Sequence, residues 1–209
     1  MSVAELSSEL LEQISSYTAG MKRNVSLILN TGEHQERNNL KKFLGAVAGA
    51  SERLSIEERD AGNMLRSPIS FSLEVEGEDT GISFSGIPSG HEFNSLILAI
   101  LQSGGVPSKL DESNVAVIKS IDEELRFEVF VSLNCHNCPD IVQLINQFAL
   151  LNKNIQSEMI DGGLFQDIIA EREITGVPCV YVNGKPFSQG RASSANLIEK
   201  LADFSRDEI

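Results

Sequence analysis

The chain has 209 residues, of which 41% are hydrophobic and 22% charged, as in an ordinary globular protein of one large domain or two small ones. Its 17 basic and 30 acidic residues give a formal net charge of -13. This charge argues against a nucleic-acid binder and against docking on an anionic membrane, because both need clustered Lys and Arg. With only three cysteines, no basic-then-apolar leader and no apolar run long enough for a bilayer, the chain is expected in a reducing cytoplasm.

The first half of the chain predicts alternating helices and strands. Apolar residues at helical spacing predict helices over 3–18, 35–49 and 91–102. Short apolar or alternating runs predict strands over 25–29, 53–57, 69–75 and 81–87. The run ISFSLEV alternates cleanly, which suits a sheet with one buried face.

The second half predicts a similar series of elements. Strands are predicted over 125–133, 155–160 and 177–184, and helices over 137–150, 164–173 and 193–204. The pair Asn183-Gly184 predicts a tight hairpin turn, after which KPFSQG forms the return strand.

Both halves therefore have the order strand, helix, strand, X-Pro entry into a hairpin, and final helix. The X-Pro pairs are Ser67-Pro68 and Val177-Pro178. We interpret this as an internal duplication in an α/β protein, with a first fold over 1–118, a second over 119–209 and a linker near 103–120. Two unrelated α/β halves remain the alternative. The duplication pairs Glu33 with Cys135, so only the second copy has cysteines at this place.

The stretch SLNCHNCPD contains two cysteines, Cys135 and Cys138, where the predicted strand runs into a helix that begins around Cys135. The free N–H groups and positive dipole of a helix N-terminus stabilise a thiolate, so the pKa of Cys135 should fall. Cys138, one helical turn later, can then attack the same sulfur and resolve a mixed disulfide. The element order and this dithiol are those of a thioredoxin fold.

The residues around the dithiol leave some alternatives open. His136 either adds positive charge beside the thiolate or is an exposed polar residue of the loop. A structural zinc site needs four ligands, commonly in two spaced pairs, and His34 and His91 have no such spacing. We therefore predict no metal site.

The segment GVPCVYVNG supports the redox interpretation. The Val177-Pro178 bond is predicted to be cis, in a loop that packs against the CxxC and presents backbone to a bound peptide. The alternative is a trans proline that opens an edge strand. Pro68 is a weaker candidate for a cis bond. Cys179 is interpreted as a small buried strand residue rather than a third reactive thiol.

Several motifs occur together and in order: SGHEFNSLILAIL, SGGVPSK, SLNCHNCPD, MIDGGLFQ and GVPCVYVNGKPFSQGR. With them the chain resembles, over nearly its whole length, the N-terminal domain of the flavoprotein component of bacterial alkyl hydroperoxide reductases. The resemblance implies two fused thioredoxin-like folds that share one continuous mixed β-sheet flanked by helices. Only the second fold would carry the redox-active CxxC.

The resemblance also implies a function. Such a domain takes electrons from a dithiol of a flavin-linked reductase and passes them to the disulfide of a peroxiredoxin partner (AhpC-like). Cys135 would attack that disulfide and Cys138 would resolve it. Glu92, in GHEF, matches an acidic residue near the dithiol that could tune thiol pKa values or relay protons. From its position alone, Glu92 is a favourable acid in the first turn of a helix.

Two departures limit what carries over from the family. Cys179 stands where the family has a small apolar residue, and no GxGxxG follows a strand, so no dinucleotide site is predicted in this chain. FAD and NADH are expected on a reductase domain or partner, whether the chain is an excised domain or free-standing. A glutaredoxin-like or disulfide-isomerase-type oxidoreductase and a non-catalytic binding module remain the alternatives.

Overall fold

A single eight-stranded mixed sheet runs through both halves of the chain in the computed structural model, which describes residues 6–207 with the exception of Lys109. The strands are β1 (Val25–Asn30), β2 (Leu54–Arg59), β3 (Ser70–Val75), β4 (Glu78–Ser85), β5 (Leu125–Val131), β6 (Ile155–Asp161), β7 (Cys179–Val182) and β8 (Lys185–Gln189). Their spatial order is β2-β1-β3-β4-β6-β5-β7-β8, so four strands of the first half are followed by four of the second.

Helices connect and flank these strands. They are α1 (Ser8–Thr18), α2 (Arg37–Gly49), α3 (Phe93–Ser103), α4 (Glu112–Lys119), α5 (Cys138–Leu151), α6 (Gln166–Glu171) and α7 (Ser194–Asp207). Short 3-10 turns lie at Gly62–Met64 and Gly90–Glu92. In the described part of the chain, none of these helices has the length and apolarity needed to cross a bilayer.

The two halves have the same strand pairing. In each, the strands joined by the first crossover helix are parallel (β1 with β2, β5 with β6), and the last two strands form an antiparallel hairpin (β3 with β4, β7 with β8). The halves meet where β4 pairs with β6 in parallel, from Ile82 opposite Ser157 to Ser85 opposite Ile160. This confirms two fused thioredoxin-like folds that share one sheet.

The predicted linker at 103–120 contains a helix. Glycine, proline and serine cluster only at 103–108, and Asp111 then caps α4 by accepting a hydrogen bond of 3.0 Å from the backbone N–H of Asn114. Ile118 is fully buried, and α4 packs against α5 and α7. The domain division after residue 118 stays a prediction, and it falls in the last turn of this helix.

Most other element boundaries agree with the sequence prediction to within a few residues. The first helix starts at Ser8, where the Ser7 hydroxyl accepts a hydrogen bond of 3.3 Å from the Leu10 N–H. Residues 3–5, which the apolar spacing assigns to this helix, lie outside the described residues.

The second half is held together by helix α5 packed on the centre of the sheet. Its apolar stripe is buried, including Ile141, Ile145 and Phe148. Phe148 meets Phe127 of β5 edge to face, with ring centroids 6.1 Å apart. Each such side chain stabilises the fold by about 1.5–3 kcal/mol relative to exposure, so this packing fixes where the N-terminus of α5 stands above the sheet.

Candidate active site

The CxxC lies in the turn between β5 and α5. The backbone N–H of Cys135 donates to the carbonyl of Ser132 at 2.9 Å, and α5 begins at Cys138, with Pro139 in its first turn. The helix thus starts three residues later than predicted, so Cys135 precedes the helix and Cys138 is its first residue. The turn of Ser132 occupies the space in which an earlier helix start would have to fit.

The two cysteines form a disulfide, with their Cα atoms 5.5 Å apart, but they differ in exposure. Cys135 is half-buried, whereas Cys138 is fully buried under α5. An incoming thiol or disulfide therefore reaches the sulfur of Cys135 first. Cys138 remains within reach of that sulfur and shielded from solvent.

The proline loop lies against the exposed cysteine, as predicted. The Val177-Pro178 bond is cis, whereas Ser67-Pro68, the weaker candidate, is not. The Cys135 sulfur is 3.9 Å from the carbonyl oxygen of Val177. The structure thus brings Cys135, Cys138, Val177 and Pro178 together from two separate parts of the second fold.

A turn of the first fold also reaches the CxxC loop. At Gly90 the backbone has φ +57°, and a Cβ there would be 2.5 Å from the carbonyl oxygen of Leu133. The next N–H, of His91, donates to that same oxygen at 3.0 Å. The His91 ring lies beside that of the exposed His136, with centroids 4.2 Å apart. No local signal predicts this pairing, because the two histidines belong to different halves.

Glu92 follows directly and is the most perturbed acid of the site. Its side chain is fully buried, and neither carboxyl oxygen has a hydrogen-bond partner among the described residues. Burial raises its pKa to about 7, and the neighbouring Ser95 hydroxyl offsets this only in part. A carboxyl group in this state can gain or lose a proton at neutral pH.

We expect Glu92→Gln to make the protein more stable at pH 8. The unfolded chain releases this proton near pH 4.5 and the folded chain near 7, so stability falls as pH rises between these values. The glutamine variant lacks that loss, and at pH 8 it should gain on the order of 2–3 kcal/mol. Urea unfolding at pH 5 and pH 8 measures the difference, with the exposed Glu112→Gln as control. Equal stability of Glu92→Gln and wild type at pH 8 would contradict the buried, raised-pKa state.

Cys179 belongs to a different part of the core from the dithiol. It packs with Phe130, Ile160 and Tyr181 and with residues of α6, whereas Cys138 packs in the large core cluster. Because Phe130 alternates along β5 with residues of the large cluster, the two sulfur sites lie on opposite faces of the sheet. Burial raises the pKa of the Cys179 thiol, with Arg172 opposing it. Its packing is that of the predicted buried strand residue.

The face of the sheet opposite α5 carries a network of charges that the sequence reasoning missed. Arg66 of the first half bonds both Glu128 and Glu158 of the second, at 2.8 Å in the latter case. Arg172 bonds Glu128 at 2.7 Å and Arg126 bonds Glu158 at 3.2 Å. Although burial raises the pKa of Glu128, the hydrogen bonds from Arg172 and Arg66 bring it below its ordinary value. Charged residues alternating inside the buried runs LRFEVFV and IQSEMID were the available signal.

No group of three or more His, Cys, Asp or Glu side chains suited to a metal ion occurs among residues 6–207 outside the gap at Lys109.

The chain matches known proteins over most of its length. The profile of the family described as "Thioredoxin domain" matches residues 125–203. The alkyl hydroperoxide reductase flavoprotein AhpF of Pseudomonas aeruginosa is 39% identical over 196 residues, which are 94% of this chain and 37% of that protein. The chain thus spans less than two fifths of the length of this curated relative.

Two solved structures from Enterococcus faecalis have the same fold. A cysteine-to-alanine variant of its AhpF superposes with a TM-score of 0.86 at 30% identity, covering 94% of this chain and 99% of the other. The "NTD_N/C domain" of its AhpF gives a TM-score of 0.87 at 29% identity, covering 94% of this chain and all of the other. With its tandem thioredoxin-like folds and CxxC disulfide, the chain belongs to the family of the AhpF N-terminal domain, a thiol–disulfide oxidoreductase.

Proposed function

We propose that this chain carries electrons from the dithiol of a flavin-linked reductase to the disulfide of a peroxiredoxin. The single observation that carries the proposal is the arrangement of the two sulfurs, with Cys135 accessible beside the Val177 carbonyl and Cys138 buried beneath it. The relatives named as AhpF proteins of alkyl hydroperoxide reductase support the assignment of this chemistry to hydroperoxide reduction.

The transfer proceeds by two exchanges. In the reduced chain the Cys135 thiolate attacks one sulfur of the peroxiredoxin disulfide, so that a mixed disulfide forms and the other partner sulfur leaves as a thiolate. Cys138 then loses its proton and attacks the Cys135 sulfur. The Cys135–Cys138 disulfide forms, and the second partner sulfur leaves. Two electrons pass to the partner, and the reductase dithiol restores the chain by the same steps in reverse.

Val177 and Pro178 form the binding surface for the segment that carries the partner disulfide. Pro178 has no N–H, and the Val177 carbonyl stands next to the attacking sulfur. An extended peptide that donates a backbone hydrogen bond to this carbonyl would hold its own sulfur near Cys135. Specificity then depends on the backbone of the partner segment as well as on its cysteine.

Glu92 and His136 assist the two cysteines. Glu92 is the buried group nearest in sequence to the turn that contacts the CxxC loop, and its pKa of about 7 suits proton exchange during oxidation and reduction of the dithiol. His136 lies between the cysteines and is exposed, so its cationic form stabilises the Cys135 thiolate.

The remaining parts of the system lie outside this chain. FAD and NADH would bind the reductase portion that the longer relatives contain, and no cofactor other than the disulfide is assigned here. The acceptor is an AhpC-like peroxiredoxin, and no nucleic acid or membrane takes part. A reducing cytoplasm is the compartment in which such a dithiol works.

The reduction potential of the Cys135–Cys138 couple tests the proposal. The protein is equilibrated with dithiothreitol or glutathione buffers, and the alkylated fraction is read by intact mass. We expect a value near or below about -270 mV, the range of thioredoxin, together with single-turnover reduction of an oxidised peroxiredoxin. A potential of about -120 to -180 mV would make the chain an oxidant or isomerase and would overturn the proposal.

A further inference from the structure

The first fold contacts the dithiol loop through one turn, Gly90–Glu92. Two separate interactions hold this turn there: the His91 N–H donates to the Leu133 carbonyl at 3.0 Å, and the His91 ring lies 4.2 Å from the ring of His136. Gly90 permits the close approach, since any Cβ at this position would strike Leu133. The half without cysteines thus supplies a side chain to the loop between the two cysteines.

We propose that His91 is a positioning residue for the redox centre: it holds the His136 imidazole in place over the CxxC turn, so that the first fold helps to set the reactivity of Cys135. His136 is exposed, and the described contacts of its ring are with His91. Without that neighbour the imidazole would sample several rotamers, and its charge would spend less time beside the sulfur. The inference rests on the dithiol chemistry of the proposed function and is independent of the acceptor.

The charges around the pair are few. The turn itself contributes Glu92, which is buried, and α5 contributes Asp140 in its first turn. Helix α3, which follows the turn, has no charged residue in FNSLILAILQS, and neither has the loop from Ser132 to Asn134. A change in the pH dependence of Cys135 on altering His91 is therefore to be attributed to the two histidines, provided that Glu92 and Asp140 are unchanged.

The test is the alkylation rate of Cys135 in the reduced full chain as a function of pH, followed by intact mass, together with the reduction potential. His91→Ala should lower the rate at pH 7 by about threefold to tenfold, and His136→Ala should lower it similarly. The double variant should be no slower than His136→Ala alone, because residues that act through one another are not additive. His91→Phe, which keeps a ring against His136, should recover most of the rate.

His34→Ala is the matched control. His34 lies in the loop of the first fold that corresponds to the CxxC, and its ring nitrogen accepts a hydrogen bond from the Glu36 N–H at 3.1 Å. This variant should leave both the rate profile and the potential unchanged. A His91→Ala profile that superimposes on wild type, full additivity with His136→Ala, or no recovery with phenylalanine would each overturn the proposal. Failure to reduce a peroxiredoxin, with the His91 effects present, would instead remove only the assigned acceptor.

Discussion

Replacing Cys135 with serine is expected to abolish electron transfer to a peroxiredoxin disulfide. The attacking species is a thiolate, and a serine hydroxyl does not ionise near neutral pH and forms no disulfide. Cys138 cannot take over, because its side chain is fully buried beneath the accessible position. Cys138→Ser should behave differently: attack by Cys135 still occurs, but the mixed disulfide is not resolved.

The experiment is single-turnover reduction of an oxidised peroxiredoxin by each reduced variant, read by intact mass. Cys135→Ser should give no reduced peroxiredoxin, and Cys138→Ser should accumulate a covalent complex through Cys135. Cys179→Ser is the matched control, because that thiol packs on the other face of the sheet and should leave transfer near the wild-type rate. Transfer that persists in Cys135→Ser would contradict the assigned attacking residue.

Replacing Arg66 with methionine should destabilise the whole chain by about 3–5 kcal/mol, since it leaves two buried carboxylates without a shared partner. Glu128 and Glu158 are both almost fully buried, and Arg66 is the group from the first half that bonds both. Arg172 and Arg126 each still bond one carboxylate, which sets the lower end of the range. The loss should appear in both halves together, because Arg66 joins them across β4 and β6.

Urea unfolding at pH 7 measures this change, with Lys41→Met as a control that removes the exposed Lys41–Glu58 pair and should alter stability little. The pH dependence supplies a second readout. Because the folded pKa of Glu128 is lowered, its stabilisation is present above the ordinary value of 4.5 and is lost as pH falls through the lowered folded value. Arg66→Met should reduce this acid-induced loss. An unchanged unfolding midpoint in Arg66→Met would show that the network does not hold the halves together.

Local patterns were sufficient for most of the second fold. The apolar run before Cys135, the helical spacing after Cys138 and the Asn183-Gly184 turn each depend on residues close in sequence, and the corresponding strand, helix and hairpin are present. The predicted cis bond at Pro178 is also local in its chemistry. These elements were accessible because side-chain period, turn type and proline geometry act over a few residues.

The helix start and the linker show where local patterns fall short. A strand followed by CxxC suggested a helix from Cys135, but the turn closed by Ser132 moves its start to Cys138. The Gly- and Pro-containing segment suggested a linker, but Asp111 caps a helix whose Ile118 is buried against the second fold. In both cases a hydrogen bond or a tertiary contact outweighed composition.

The sequence by itself determined the order of elements, the duplication and the two cysteines with their proline loop. Only the tertiary structure decided that His91 meets His136, that Glu92 is buried without a partner among the described residues, and that Arg66 joins Glu128 and Glu158. The physical reason is that these contacts form between halves, where the pairing of β4 with β6 brings distant residues together. Burial and charge at such a junction depend on the three-dimensional neighbours of a side chain, which no local period encodes.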